Sequence, residues 1–579
     1  MIESWLAYCR ENHSDICGRP VRYAAKFELP TRLIDVSPTN NAGSLRLVLG
    51  RDVPKNSTDR RYVALSHCWG KKPSLIPSTT KANLETRIAT IPWGDLPKTF
   101  KDAVTILRKL SVRYLWIDSL CIVQDDEDDW ARESATMHNV YTCAYFTIAA
   151  SAAEDSTGGI FAAGDPKRFG ACTLMSKWKS ISNLVTVYPT FAAWDMHLQG
   201  PLSSRGWTFQ EYQLSPRVIH FTEGRIMWEC TDFGGQASED RPVLGTDKVR
   251  PRLIRRLARQ DLTNARFGVL PASPGVKMFK HVRIGKNYAV MREMDDVETE
   301  WWHNAIHDYS GRRLTRPSDK LPALAGYAAA LHTYIGQWYL AGIWGLNLPQ
   351  GLLWCPDWER EARIAHSKWP PTSLDPLLPS WTWAAFDGPI RYLSEREYNV
   401  NDVQILDFDI EHHNANLFGR VTRGSIKIKT EFAMDVAINE SDACEGLQPE
   451  MVRLPKSYRM FGERQKFFIR KLLPRSRHFD GVIYFDTDPA SLPQTVVTCI
   501  RIGEGVGRLM ATRDPSSMST SRDIGLALIR VSENGSAGVD TGSGIDASAE
   551  KFRRVGMFEV LSGNSKWKAR CVPRVLTLV

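Results

Sequence analysis

Residues 61–235 are predicted to form an α/β domain built on a parallel sheet, and three observations predict it. Short apolar runs at Tyr62–Ser66, Tyr114–Asp118 and Ala144–Ala150 read as strands. Between them, Phe100, Ala103, Val104, Leu107 and Leu110, and then Trp130, Ser134, Met137 and Tyr141, repeat at helical spacing. The first two strand-like runs end directly in polar residues or glycine. Short strands alternating with single helices pair in parallel through right-handed crossovers, which puts helices on both sheet faces.

The elements are taken in chain order. Residues 1–60 read as an N-terminal extension with a short amphipathic helix and strand-like runs at Thr31–Val36 and Leu45–Leu49. Pro97 and Thr99 suit the start of the first crossover helix. Residues 151–204 exceed an ordinary connection and are expected to be an insertion over the sheet edge. A short helix at Trp207–Leu214 and strands at Arg217–Thr222 and Arg225–Glu229 finish the domain. Residues 236–390 form a tryptophan-rich, mainly helical region whose indoles are expected to pack its core. Residues 391–579 alternate short β-like runs with Gly/Ser-rich turns, which suits an antiparallel sheet packed on the middle region. No internal repeat is found.

At 579 residues the chain is too long for one core. With 43% hydrophobic and 24% charged residues it has no signature of disorder. Lys plus Arg exceed Asp plus Glu by 74 to 65, a mild and scattered surplus. Basic clusters at 250–259 and 464–477 come with no nucleic-acid motif and read as solvated faces, so no nucleic-acid partner is expected. No apolar stretch approaches the ~20 residues of a membrane span. The eleven cysteines are scattered, with no C-x-x-C pair. Such usage fits reduced thiols in a cytoplasmic protein and offers no disulfide framework and no metal site by spacing.

Three segments carry the chemistry: Tyr62-Val-Ala-Leu-Ser-His-Cys-Trp-Gly70, Tyr114-Leu-Trp-Ile-Asp-Ser-Leu-Cys-Ile-Val-Gln124 and Arg205-Gly-Trp-Thr-Phe-Gln-Glu211. Ligands of open α/β sheets bind beyond the carboxyl ends of strands, which is where the first two segments turn polar. In this order the three resemble the fungal heterokaryon-incompatibility (HET) domain over roughly residues 60–215. The pattern is a Ser-x-x-Trp-Gly strand end, Trp-Ile-Asp-x-x-Cys-Ile-x-Gln, then Arg-x-Trp-x-x-Gln-Glu. The middle-region segments Asp308–Ser310, Asp319–Gly326, Tyr339–Trp344 and Pro379–Ala384 resemble the region C-terminal to that domain in many such proteins.

Ser66 and His67, at a strand's carboxyl end, are candidates for ligand binding, with Trp69 and Gly70 in the turn after it. Successive strand side chains face opposite ways, so His67 and Cys68 make no dyad, and Cys68 and Cys121 are expected to fill apolar space. Two roles suit Asp118: holding a ribose hydroxyl, or organising its loop through backbone N–H groups. Gln124 comes after a second apolar bend. The run Asp125–Asp129 precedes a helix and is read as capping rather than as a calcium loop. Glu211 lies four residues beyond Trp207, on one helix face; an aromatic beside a carboxylate raises its pKa. The other role for Glu211 is to pin its helix through Arg205 or a backbone bond.

A more distant resemblance is to TIR domains. Some of these cleave NAD with the glutamate of a Ser-x-Trp-x-x-x-Glu segment, and Ser204–Glu211 has the same Trp-to-Glu interval. It departs at the long 151–204 segment and at Trp69-Gly70. The two resemblances imply a flavodoxin/TIR-like sheet and a role in non-self recognition and programmed cell death. They further imply NAD as substrate rather than cofactor, Glu211 as catalytic carboxylate, and Ser66, His67, Trp69, Gly70, Asp118, Gln124, Arg205 and Trp207 as substrate-binding residues. The rival expectation is a non-enzymatic scaffold that assembles with copies of itself through this domain. A hydrolase using Cys68 or Cys121 ranks third.

Overall fold

The computed structural model describes residues 1–12, 17, 28–37, 43–54, 60–71, 76–161, 172–178, 181–187, 200–223, 226–231, 236–238, 296–357, 378–392, 398–399, 402–437, 469–471, 481–486, 496–506, 521–531, 550–561 and 571–579. The basic cluster at 250–259 and most of that at 464–477 lie outside these residues. So does much of the 151–204 segment. The chain forms two compact units, Met1–Val269 with Pro322–Tyr334, and Leu270–Leu321 with Ile335–Val579.

The first unit is mixed α/β. It opens with helix α1 (Ile2–Asn12), which buries Trp5, Leu6 and Cys9 on one face. Strands β1 (Arg32–Asp35), β2 (Arg46–Leu49) and β3 (Tyr62–Ser66) come next, then α2 (Leu84–Ala89) and α3 (Lys98–Lys109). After these stand β4 (Tyr114–Trp116), the helical turn α4 (Asp118–Cys121), α5 (Glu127–Cys143) and β5 (Phe146–Ala149). The hairpin β6 (Cys172–Trp178) and β7 (Ile181–Val187) stands as its own two-stranded sheet within the 151–204 segment. Helix α6 (Thr208–Leu214) precedes β8 (Arg217–Phe221), β9 (Ile226–Cys230) and β10 (Gln236–Ser238). The eight-stranded sheet has the order β10-β9-β8-β5-β3-β4-β1-β2.

The three predicted strands lie side by side and parallel. β3 pairs with β4 from Tyr62↔Tyr114 and with β5 from Val63↔Phe146. β5 pairs in parallel with β8 on its other side. All five residues of β3 are buried, the pattern of a strand covered on both faces. Helix α3 buries Phe100, Ala103, Val104 and Leu107 at the expected spacing. It ends beside Ser111, whose φ of 54° is a left-handed stop.

Two local differences from the sequence reading have clear causes. β4 stops at Trp116 instead of reaching Asp118, because the Asp118 carboxylate accepts the Ser119 N–H at 2.7 Å and turns the chain into α4. The acidic run divides its labour. Asp126 caps α5 by accepting from the N–H groups of Asp128 and Asp129. Asp129 is instead buried, holding Arg32 of β1 through two bonds at 2.5 and 3.0 Å and accepting the Val123 N–H at 2.9 Å. The strands of the N-terminal extension thus belong to the same sheet, with β1 antiparallel to β4.

Two longer helices lie further along the chain, α7 (Asp296–Ser310) and α8 (Pro322–Ile335). Residues Pro322–Tyr334 of α8 belong to the first unit. Gly326 donates its N–H to Gln210 Oε1 at 3.2 Å, and Tyr327 packs edge-on to Phe209 at 5.2 Å. A Cβ on Gly326 would stand 2.3 Å from the Cβ of His138, so only glycine permits α8 to lie this close.

In the second unit, α7 joins short hairpins around Trp344, Trp354, Trp381 and Trp383, all fully buried as the tryptophan-rich reading expects. The C-terminal region is a β-barrel. β11 (Val421–Ala437), β12 (Val496–Val506), β13 (Ser521–Arg530), β14 (Glu550–Leu561) and β15 (Val572–Leu578) pair in a closed ring. The expectation of an antiparallel sheet is corrected in one place, since β14 and β15 run parallel. Five strands cannot alternate in direction around a closed ring, so one parallel pair is required. The barrel packs on the middle region through Arg554. Its guanidinium donates to the Leu352 and Trp354 carbonyls, pairs with Asp486 at 2.8 Å and stacks on the Trp354 ring at 3.6 Å.

Candidate active site

The carboxyl end of β3, the turn α4 and the first turn of α6 converge at the parallel strands' carboxyl ends. Ser66 ends β3, and its Oγ donates to Glu211 Oε2 at 2.5 Å. The Tyr141 hydroxyl, from α5, also hydrogen-bonds the Glu211 carboxylate. Glu211 is only 4% exposed. Burial pushes its carboxyl up to about 7; Asp118 adds to the rise, while Arg205 and the bonds from Ser66 and Tyr141 oppose it. Such a group is close to half ionised at neutral pH, the range suited to a catalytic acid or base.

Asp118 is partly exposed. Its carboxylate accepts from Trp69 Nε1 at 2.8 Å and lies 3.7 Å from His67 Nδ1. The Gln124 side-chain amide donates to the Asp118 and Ile122 carbonyls, both at 3.1 Å. Gly70 closes the β3 turn at a φ of +78°, where an added Cβ would meet Asp155 at 2.6 Å. The Arg205 guanidinium donates to the His67 carbonyl, bridging the segment before α6 to the end of β3. Trp207 packs edge-on against Trp130 at 6.1 Å.

Residues 62–211 match the family model described as Heterokaryon incompatibility protein (HET).

The HET segment therefore contains all nine residues singled out in the sequence. Comparison with curated proteins and with solved structures returns no match. Within the HET segment, Ser66, Asp118, Arg205 and Glu211 share one cluster, and Trp69 joins it through Asp118. His67 sits to one side, 2% exposed and edge-on to Phe100 at 5.1 Å. Burial drives its imidazole down to about 4 despite Asp118, so it is neutral at physiological pH. Gln124 supports the loop through backbone carbonyls.

The thiols are poorly suited to nucleophilic work. Cys121 is wholly buried and pushed up to about 12 by that burial, so its reactive thiolate is scarce. Cys68 packs among Ala149, Leu202 and Val218. Arg205 acts on Glu211 through charge while its hydrogen bond goes to the His67 carbonyl, so the segments are joined by Arg205–His67 as well as by Ser66–Glu211.

Tyr141 is the site residue that sequence reasoning missed. It stands in the apolar stripe of α5, where helical spacing reads as core. The one signal in the sequence is its hydroxyl, because a buried tyrosine O–H requires a partner.

Proposed function

We propose that the HET segment is a TIR-like NAD glycohydrolase acting in heterokaryon incompatibility and cell death, with Glu211 as its catalytic carboxylate. The family match supports the biological setting. The order β4-β3-β5-β8 is 2-1-3-4 for four parallel strands, the order of flavodoxin-like sheets, which supports the TIR-like reading. The observation that carries the proposal is a buried carboxyl raised to about 7, hydrogen-bonded by Ser66 at the end of a parallel strand.

In the reaction, the bond between ribose C1′ and the nicotinamide nitrogen breaks, and its electron pair neutralises the pyridinium. Water supplies the new C1′–O bond and releases one proton. The ionised form of Glu211 offsets the positive charge that develops at C1′, or orients the water through ribose hydroxyls. Ser66 and Tyr141 hold the carboxylate, and Asp118 and Trp69 are the partly exposed groups that contact the nucleotide. Because Glu211 is nearly sealed, binding must open the side bounded by Trp69, Asp118, Arg205 and Trp207. The sequence has no Gly-x-Gly-x-x-Gly loop, which argues against an ordinary dehydrogenase.

The same sealing favours a second reading. With Ser66 and Tyr141 already bonded to it, Glu211 fits a residue that fastens α6 to β3 in a non-enzymatic scaffold that self-associates. Expression of wild type and Glu211→Gln at equal abundance separates the two. The glycohydrolase depletes cellular NAD and kills only as wild type, whereas killing by both proteins with NAD intact supports the scaffold.

A further inference from the structure

We propose that Cys9, Cys17 and Cys230 form a thiolate site for one zinc ion, which clamps α1 onto the β8–β9 hairpin. The site is separate from the Glu211 cluster and independent of the NAD reading. The three sulfurs come from distant points of the chain, and each lies within 4.8 Å of the other two. A tetrahedral zinc with ~2.3 Å bonds holds its sulfurs about 3.8 Å apart, so the trio needs little movement to take one. All three cysteines are buried, at 0%, 3% and 0% exposure.

The surroundings point to anionic sulfur. Arg217 stands directly across from Cys230 in the β8–β9 register and is only 5% exposed. Its Nε donates to Cys9 Sγ at 3.2 Å and its Nη1 to the Tyr145 carbonyl at 3.1 Å. Among the described residues, no carboxylate pairs with this guanidinium. A buried cation is strongly disfavoured without a countercharge. Three neutral thiols supply none, and a disulfide between any two would supply none either.

Zinc binding resolves the imbalance. Three thiols release three protons, and three thiolates with Zn²⁺ carry a net charge of −1, which Arg217 matches. One coordination position remains for a fourth donor. Hydrogen bonds from an outer residue to a ligand sulfur are the usual support of such a site. The packing around it is consistent with a clamp, since Trp5 of α1 lies 6.2 Å from Trp228 of β9 on the same side as Cys9 and Cys230. Cys9 and Cys17 are eight residues apart, and Cys230 is far downstream. No local cysteine spacing therefore marks the site.

The full chain, expressed with added zinc chloride, is expected to purify with about one zinc per molecule and to lose thermal stability when a chelator strips it. Cys230→Ser should lose the zinc, Cys143→Ser should keep it, and Arg217→Gln should bind it about 10–100-fold more weakly. If Cys230→Ser fails to fold, Co²⁺ titration of the stripped wild type still decides the matter. Intense sulfur-to-cobalt charge-transfer absorption, abolished by competing zinc, supports the site. Its absence, or peptide mapping that finds a disulfide among the three, overturns it.

Discussion

Ser66 Oγ and Glu211 Oε2 stand 2.5 Å apart, joining the end of a central parallel strand to a helix that begins 142 residues later in the chain (208 − 66). That bond places a carboxylate inside the protein, near the strand ends where α/β sheets bind ligands. Its proton affinity is raised by burial and by Asp118 and lowered by Arg205 and by the hydrogen bonds from Ser66 and Tyr141. Those influences set the behaviour expected of the site.

Stability and activity should respond to pH in opposite directions. The unfolded Glu211 carboxyl ionises near its ordinary value of 4.5, whereas the folded one holds its proton up to about 7. Between those values the unfolded chain binds fewer protons, so stability falls as pH rises through this window. The cost is absent below about 4.5 and complete above about 7. Glu211→Gln should therefore gain up to about 3 kcal/mol over wild type at pH 8, and nothing at pH 4.5. Urea unfolding at the two pH values measures it, and an equal difference at both would refute the buried-acid account. NAD cleavage, which needs the ionised form, should instead climb as pH passes about 7.

The neighbouring charges should move that midpoint predictably. Asp118 raises the Glu211 carboxyl and Arg205 lowers it. Asp118→Asn should shift the pH midpoint of cleavage downward, and Arg205→Gln should shift it upward. Carbon-13 titration of labelled glutamate reads the same shifts without activity. Displacement of both variants in one direction would mean that structural rearrangement, not charge, dominates.

Much of this site is legible in the sequence because strand ends and helix starts are local features. Ser66 and Asp118 sit where an apolar run gives way to polar residues and Glu211 sits on the first turn of a helix, and the structure gathers all three. Tyr141 is hidden because a core-facing tyrosine and a site tyrosine occupy the same helical stripe. The Arg32–Asp129 pair is hidden for a different reason. Asp129 lies in an acidic run whose capping role is locally sufficient, and its partner is 97 residues away on β1. Strand periodicity points to a β-rich C-terminal region, but ring closure depends on long-range pairing that alternation does not encode. The docking of α8 against α6 is equally invisible, since it rests on the absence of a side chain at Gly326.

Arg32 and Asp129 offer a test of how the N-terminal strands are held. Both side chains are buried, so Arg32→Met removes two bonds to the Asp129 carboxylate and leaves it to the Val123 N–H and to Arg132, an exposed cation 2.8 Å away. That variant should lose about 1–3 kcal/mol, whereas replacing both, as Arg32→Met with Asp129→Leu, should recover part of the loss. Denaturant midpoints for the single and double variants decide it. A double variant as unstable as the single one would show that shape rather than charge holds β1 to α5.

The most direct measurement is release of nicotinamide from ring-labelled NAD in lysates of cells expressing either wild type or Glu211→Gln at matched abundance. The account predicts labelled nicotinamide and ADP-ribose in equal amounts from wild type, with the rate reduced ~10²-fold or more in the variant. Equal release from both proteins would remove Glu211 from the chemistry. No release from wild type, in lysates of cells that it is killing, would contradict the glycohydrolase itself.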